Sequence, residues 1–113
     1  MRTPPKLDKT TRNAIKILTQ AAERLLRRRE YCCCHAIDRV ECTLLRGSRK
    51  YREDIEAAQD LAKFKLAQLF RPENKPAFWW PCETWLYSRK ELEAARQERI
   101  LALLFTAESL RNP

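Results

Sequence analysis

The sequence contains one glycine, Gly47, among 113 residues. Hairpins and tight strand turns depend on glycine, because it tolerates positive φ. A multi-stranded β architecture is poorly served by one such residue, and helices are expected instead. Histidine is as scarce: His35 stands alone, which removes the two-histidine metalloprotease signature. No Cys-x-x-Cys pair, phosphate-binding glycine loop or paired-carboxylate motif occurs. No apolar run approaches the ~20 residues that cross a bilayer. The start, Met-Arg-Thr-Pro-Pro, leads into a polar segment without a signal-peptide core, so a cytoplasmic location and no membrane partner are expected.

Charge of one sign is what the chain has in excess. Lys and Arg number 23 against 15 Asp and Glu, a net charge of +8. This favours an anionic partner such as a nucleotide, a nucleic acid or an acidic protein face. The same charge also keeps small domains dispersed. Apolar residues make up 44% of the chain and charged residues 34%. That mixture suits amphipathic helices, which need one apolar stripe and a solvated remainder. The length fits one domain.

The fold expected is all-α, a three- to four-helix bundle with an aromatic, proline-rich loop before the last helix. Residues 1–7 read as a flexible basic arm, held extended by Pro4 and Pro5, and residues 8–113 as one helical domain. The first helix starts near Asp8–Thr11, where several side chains can cap it. Ile15, Leu18, Ala22, Leu25 and Leu26 give it an apolar face. From Tyr31 to Arg46, Cys33, Ile37, Val40 and Leu44 share a helical face. Nothing between Glu30 and Tyr31 forces a break, so one long rod and two helices both remain open. Gly47 stops this segment and Ser48 can cap the next.

A third helix covers about Arg49–Phe70, with the stripe Tyr51, Ile55, Ala58, Ala62, Leu66 and Leu69. It ends ahead of Pro72, since the residue before proline is pushed out of helical geometry. Pro72–Tyr87 holds Phe78 and all three tryptophans, Trp79, Trp80 and Trp85. The last helix begins at Ser88, with Glu91 completing a Ser-x-x-Glu capping box. Leu92, Ala95, Ile100, Leu103, Leu104 and Ala107 can line its buried side.

Three constellations could carry function. Arg24, Arg27 and Arg28, at i, i+3 and i+4, present one surface at the end of the first helix. Arg46, Arg49 and Arg52 form a second basic group around Gly47, with Lys50. A guanidinium can hold phosphate bidentately. Trp79 and Trp80 can stack bases, at ~1–3 kcal/mol per base. They can equally cover one end of the core or anchor a protein partner. The ligand-binding residues expected are thus Arg24, Arg27, Arg28, Arg46, Arg49, Arg52, Trp79 and Trp80.

The third constellation is Cys32, Cys33, Cys34, His35 and Cys42, with Cys82 more distant. Zinc takes thiolates and imidazole in a tetrahedron. Neighbouring helical residues point ~100° apart, so three consecutive cysteines cannot easily share an ion, whereas Cys32 and His35 can. Buried cysteine more often acts as a small hydrophobe. No metal, cofactor or catalytic residue is assigned, and the chain is expected to bind rather than catalyse.

Three segments, Tyr31–Asp38 (YCCCHAID), Leu69–Trp80 (LFRPENKPAFWW) and Arg99–Ser109 (RILALLFTAES), resemble short accessory proteins encoded by bacteriophages and prophages. The resemblance implies a phage gene product acting in the bacterial cytoplasm. Proteins of that kind often disarm host defence by binding, and some sequester nucleotide second messengers. It assigns no site residues. The function expected is a non-enzymatic binding protein that antagonises host defence by engaging an anionic partner; its sharpest version is a sponge for a nucleotide second messenger, which a self-associated pocket would suit. A protein–protein inhibitor of a host defence complex and a general nucleic-acid-binding protein are the alternatives.

Overall fold

The computed structural model describes residues 7–27, 32–45, 52–70 and 88–112. They form four helices: α1 (Lys9–Leu26), α2 (Cys33–Leu45), α3 (Arg52–Phe70) and α4 (Arg89–Arg111). There is no strand among the described residues, and the fold is the expected all-α bundle. The aromatic, proline-rich segment before α4 and residues 1–6 of the expected arm lie outside them. Leu7, which the sequence places in that arm, packs against the core.

Each well-defined start has a side-chain cap. Asp8 accepts a hydrogen bond from the Thr11 backbone N–H at 2.7 Å, satisfying one of the orphan donors of α1. The same bond holds the Asp8 carboxyl below its ordinary pKa. Ser88 caps α4: its Oγ accepts from the Glu91 N–H at 3.2 Å and donates to the Glu91 carboxylate at 3.0 Å. The Ser-x-x-Glu motif thus closes through the hydroxyl rather than by the carboxylate reaching the cap's own backbone.

The apolar periodicity explains the packing. α1 is the central helix and contacts the other three, α4 most extensively; α3 also touches α2 and α4. Ala14, Leu18, Ala21 and Leu25 recur at helical spacing and are fully buried, with Ile17 widening the sector. Fully burying a leucine or isoleucine is worth ~1.5–3 kcal/mol. Leu26, expected on this face, is exposed because the stripe centres on Leu18 and Leu25. α1 and α2 are two helices packed together, so the single-rod alternative falls.

Cys33, Ile37 and Val40 are buried on α2 as their spacing predicts, joined by Ala36. Ile55, Ala58, Ala62 and Leu66 are buried on α3. That helix starts at Arg52 and ends at Phe70, two residues short of Pro72.

On α4 the core side comprises Arg96, Arg99, Ile100, Ala102, Leu103, Thr106, Ala107 and Leu110. Leu104 is exposed rather than buried, because Leu103 and Ala107 set the inward direction and the next residue points ~100° away. The Thr106 hydroxyl donates to the Ala102 carbonyl at 2.7 Å, which satisfies a buried polar group inside the helix.

Two polar links connect the helices at their surfaces. Lys9 on α1 pairs with Asp54 on α3 at 2.9 Å, and Asp38 on α2 accepts from Lys63 and Gln59 on α3. Exposed pairs of this kind contribute ~0–1 kcal/mol each.

Candidate functional site

Arg24 and Arg27 leave the last turns of α1 three residues apart, on the side turned toward α2. There they line a polar cleft of about 300 Å³ with Gln20, Glu23, Val40 and Thr43. The four α1 residues sit at i, i+3, i+4 and i+7, so they form one stripe ~10 Å long. Val40 and Thr43 face them from the second half of α2. Arg24 is half-buried and Arg27 is exposed. Among the described residues, no ion pair involves Arg27 or Glu23.

The last turn of α1 is fixed from α4. Arg96 is 4% exposed, and its Nη1 donates to the Leu25 carbonyl at 3.1 Å. Its Nε and Nη2 donate to Glu93, at 3.2 and 2.6 Å. A guanidinium at a helix C-terminus also meets the negative end of the dipole. Leu25 lies between Arg24 and Arg27, so the contact holds the backbone that presents both. Arg99, 5% exposed, is buried one turn further along α4.

The sequence-based site divides accordingly. Arg24 and Arg27 meet at the cleft. Arg52 is exposed at the first residue of α3 and is not among the cleft's lining residues. Arg28, Arg46, Arg49, Trp79 and Trp80 lie outside the described residues. Sequence reasoning missed Gln20, Glu23, Val40 and Thr43, and it missed Arg96 and Arg99. The two arginines had a signal: they fill the gap in the apolar stripe of α4 between Ala95 and Ile100. Glu23 had one too, four residues before Arg27 on the same face.

The cysteine segment is a packing feature where it is described. Cys32 and Cys33 are buried and Cys42 is exposed. Burial pushes the Cys33 thiol up, the neighbouring Cys32 adds to this, and the Arg99 charge opposes both. A thiol held in that form is a poor nucleophile and metal ligand. The His35 backbone N–H donates to the Cys32 Sγ at 3.4 Å, so this thiol caps the start of α2. Among the described residues no three His, Cys, Asp or Glu side chains group as a metal site requires. Cys82 lies outside them.

Two other surface features were not foreseen. The charges of Asp38, Glu56, Asp60 and Lys63 act on Glu41 where α2 meets α3. Partial burial raises the pKa of Glu41, and the carboxylates of Asp38, Glu56 and Asp60 raise it further. On the outer side of α4, Leu101 is 67% and Phe105 60% exposed. With Phe70, Leu104 and Glu98 they line an apolar groove of about 560 Å³. The rings of Phe70 and Phe105 meet edge to face at 5.8 Å. No helix among the described residues is long and apolar enough to cross a membrane. Comparison with protein-family models, curated proteins and solved structures finds no match to this chain.

Proposed function

We propose that this protein works by holding an anionic ligand in the α1–α2 cleft, as a binding protein rather than an enzyme. The observation that carries the reading is that two arginines chosen from sequence spacing, Arg24 and Arg27, line one polar concavity. Arginine forks in a recess provide charge-assisted, paired hydrogen bonds to phosphate or carboxylate. The remaining lining supplies further hydrogen-bonding groups, which retention of a ligand needs. The resemblance to phage accessory proteins supports the biological role: acting in the bacterial cytoplasm, the protein denies a nucleotide signal to host defence.

The test is thermal unfolding of the full chain against a panel of mono-, di- and cyclic oligonucleotides. A ligand present at a hundred times its Kd stabilises the folded state by ~2.7 kcal/mol. For a domain of this size that corresponds to a rise of about 10 °C. The double variant Arg24→Glu/Arg27→Glu should lose the rise. If no anion in the panel shifts the melting temperature of the unmodified protein, the reading fails.

A further inference from the structure

The lining of the cleft narrows the ligand further, on the premise that the cleft binds an anion at all. We infer that it takes a phosphate monoester whose organic part donates hydrogen bonds, of the size of one nucleoside monophosphate.

The cleft is not uniformly basic. Arg24 and Arg27 share it with the carboxyl group of Glu23. A carboxylate only accepts hydrogen bonds. It repels a bare anion held by the adjacent arginines and favours a ligand that brings hydroxyl or amino donors to it. Gln20 and Thr43 can each donate and accept, so they suit a ribose or a base edge.

These groups are also ordered along α1. Gln20 and Glu23 lie toward one end of the stripe and Arg27 lies at the other, at the helix C-cap. The phosphate therefore belongs at the end of α1 and the donors further back. A helix C-terminus ordinarily disfavours an anion. Here the carbonyl of Leu25 is taken by Arg96 and that of Glu23 by the Arg27 backbone N–H, at 3.1 and 2.9 Å.

Size sets the other limit. A cleft of about 300 Å³ lies at the small end of ligand sites. It has room for about one phosphate, one sugar and one ring system. A cyclic dinucleotide would leave much of itself outside, without added contacts.

Titration calorimetry on the full chain tests this with inorganic phosphate, adenosine, adenosine monophosphate and a cyclic dinucleotide. Adenosine monophosphate should bind about tenfold or more tighter than phosphate or adenosine alone, as expected for one added charged hydrogen bond. The cyclic dinucleotide should bind no tighter than the monophosphate. Glu23→Ala, at an exposed position, should weaken the nucleotide, strengthen inorganic phosphate and close the gap. If phosphate binds as well as the nucleotide, or Glu23→Ala strengthens both alike, the site takes bare anions; the ligand class is then wrong and the anion reading stands. A preference for the cyclic dinucleotide overturns the size limit. Binding of none of the four overturns this inference; the wider anion panel then decides the anion reading.

Discussion

Replacing Arg96 with methionine removes a buried guanidinium while keeping a chain of similar length. The structure indicates what is lost. The Leu25 carbonyl loses its side-chain donor at 3.1 Å in a buried setting. A hydrogen bond from a charged donor is worth ~1.5–3 kcal/mol, and the Arg27 backbone N–H that also reaches this carbonyl offsets part of its loss. A cation at the C-terminus of α1 also disappears, worth ~0.3–1 kcal/mol. Glu93 loses two hydrogen bonds, but its side chain is 36% exposed and water can replace them. Methionine in place of a buried charge returns part of the loss. The net is about 2 kcal/mol of destabilisation, near 8 °C in melting temperature. Urea unfolding should show a lower midpoint with an unchanged slope. A single-variant loss below ~0.5 kcal/mol would refute the reasoning, because a buried hydrogen bond from a charged donor is not given up so cheaply.

Two further outcomes follow from titration and burial. Glu41 has its folded pKa raised, by burial first and by neighbouring carboxylates second, so its ionised form opposes folding. That cost is absent below the ordinary carboxylate range and fully present above the folded value. Glu41→Gln should therefore stabilise the protein at pH 7 and make no difference near pH 4; equal stabilisation at both would contradict the assignment. Alkylation of the native protein followed by peptide mapping should modify exposed Cys42 and spare Cys33 until denaturant is added. Rapid native labelling of Cys33 would mean that α2 does not pack against α1 as described.

The sequence carried most of the helical framework because its signals are local. Ser88 and Glu91 mark a helix start within four residues, and Pro72 limits α3 with no help from the rest of the chain. The i, i+3 spacing of Arg24 and Arg27 was enough to place them together. What faces them was not legible, since the approach of Val40 and Thr43 is set by how α2 crosses α1. Arg96 and Arg99 were overlooked because charge marks a residue for the surface unless a partner is known. Besides Glu93, the partner of Arg96 is a backbone carbonyl 71 positions away. Leu26 and Leu104 were misplaced for a smaller reason: each adjoins a truly inward residue, and one step around a helix turns a side chain out of the core.

The most extensive helix contact among the described residues joins the first helix to the last, the two most distant along the chain. During synthesis, Ile17, Leu18 and Leu25 emerge long before the helix that covers them. At typical elongation rates the wait is on the order of several seconds. Bringing the two together also closes a long loop, whose entropy must be met before any contact forms. A ribosome that stalls ahead of Ser88 therefore releases a fragment with an uncovered oily ridge, and such a product belongs to chaperones and proteases.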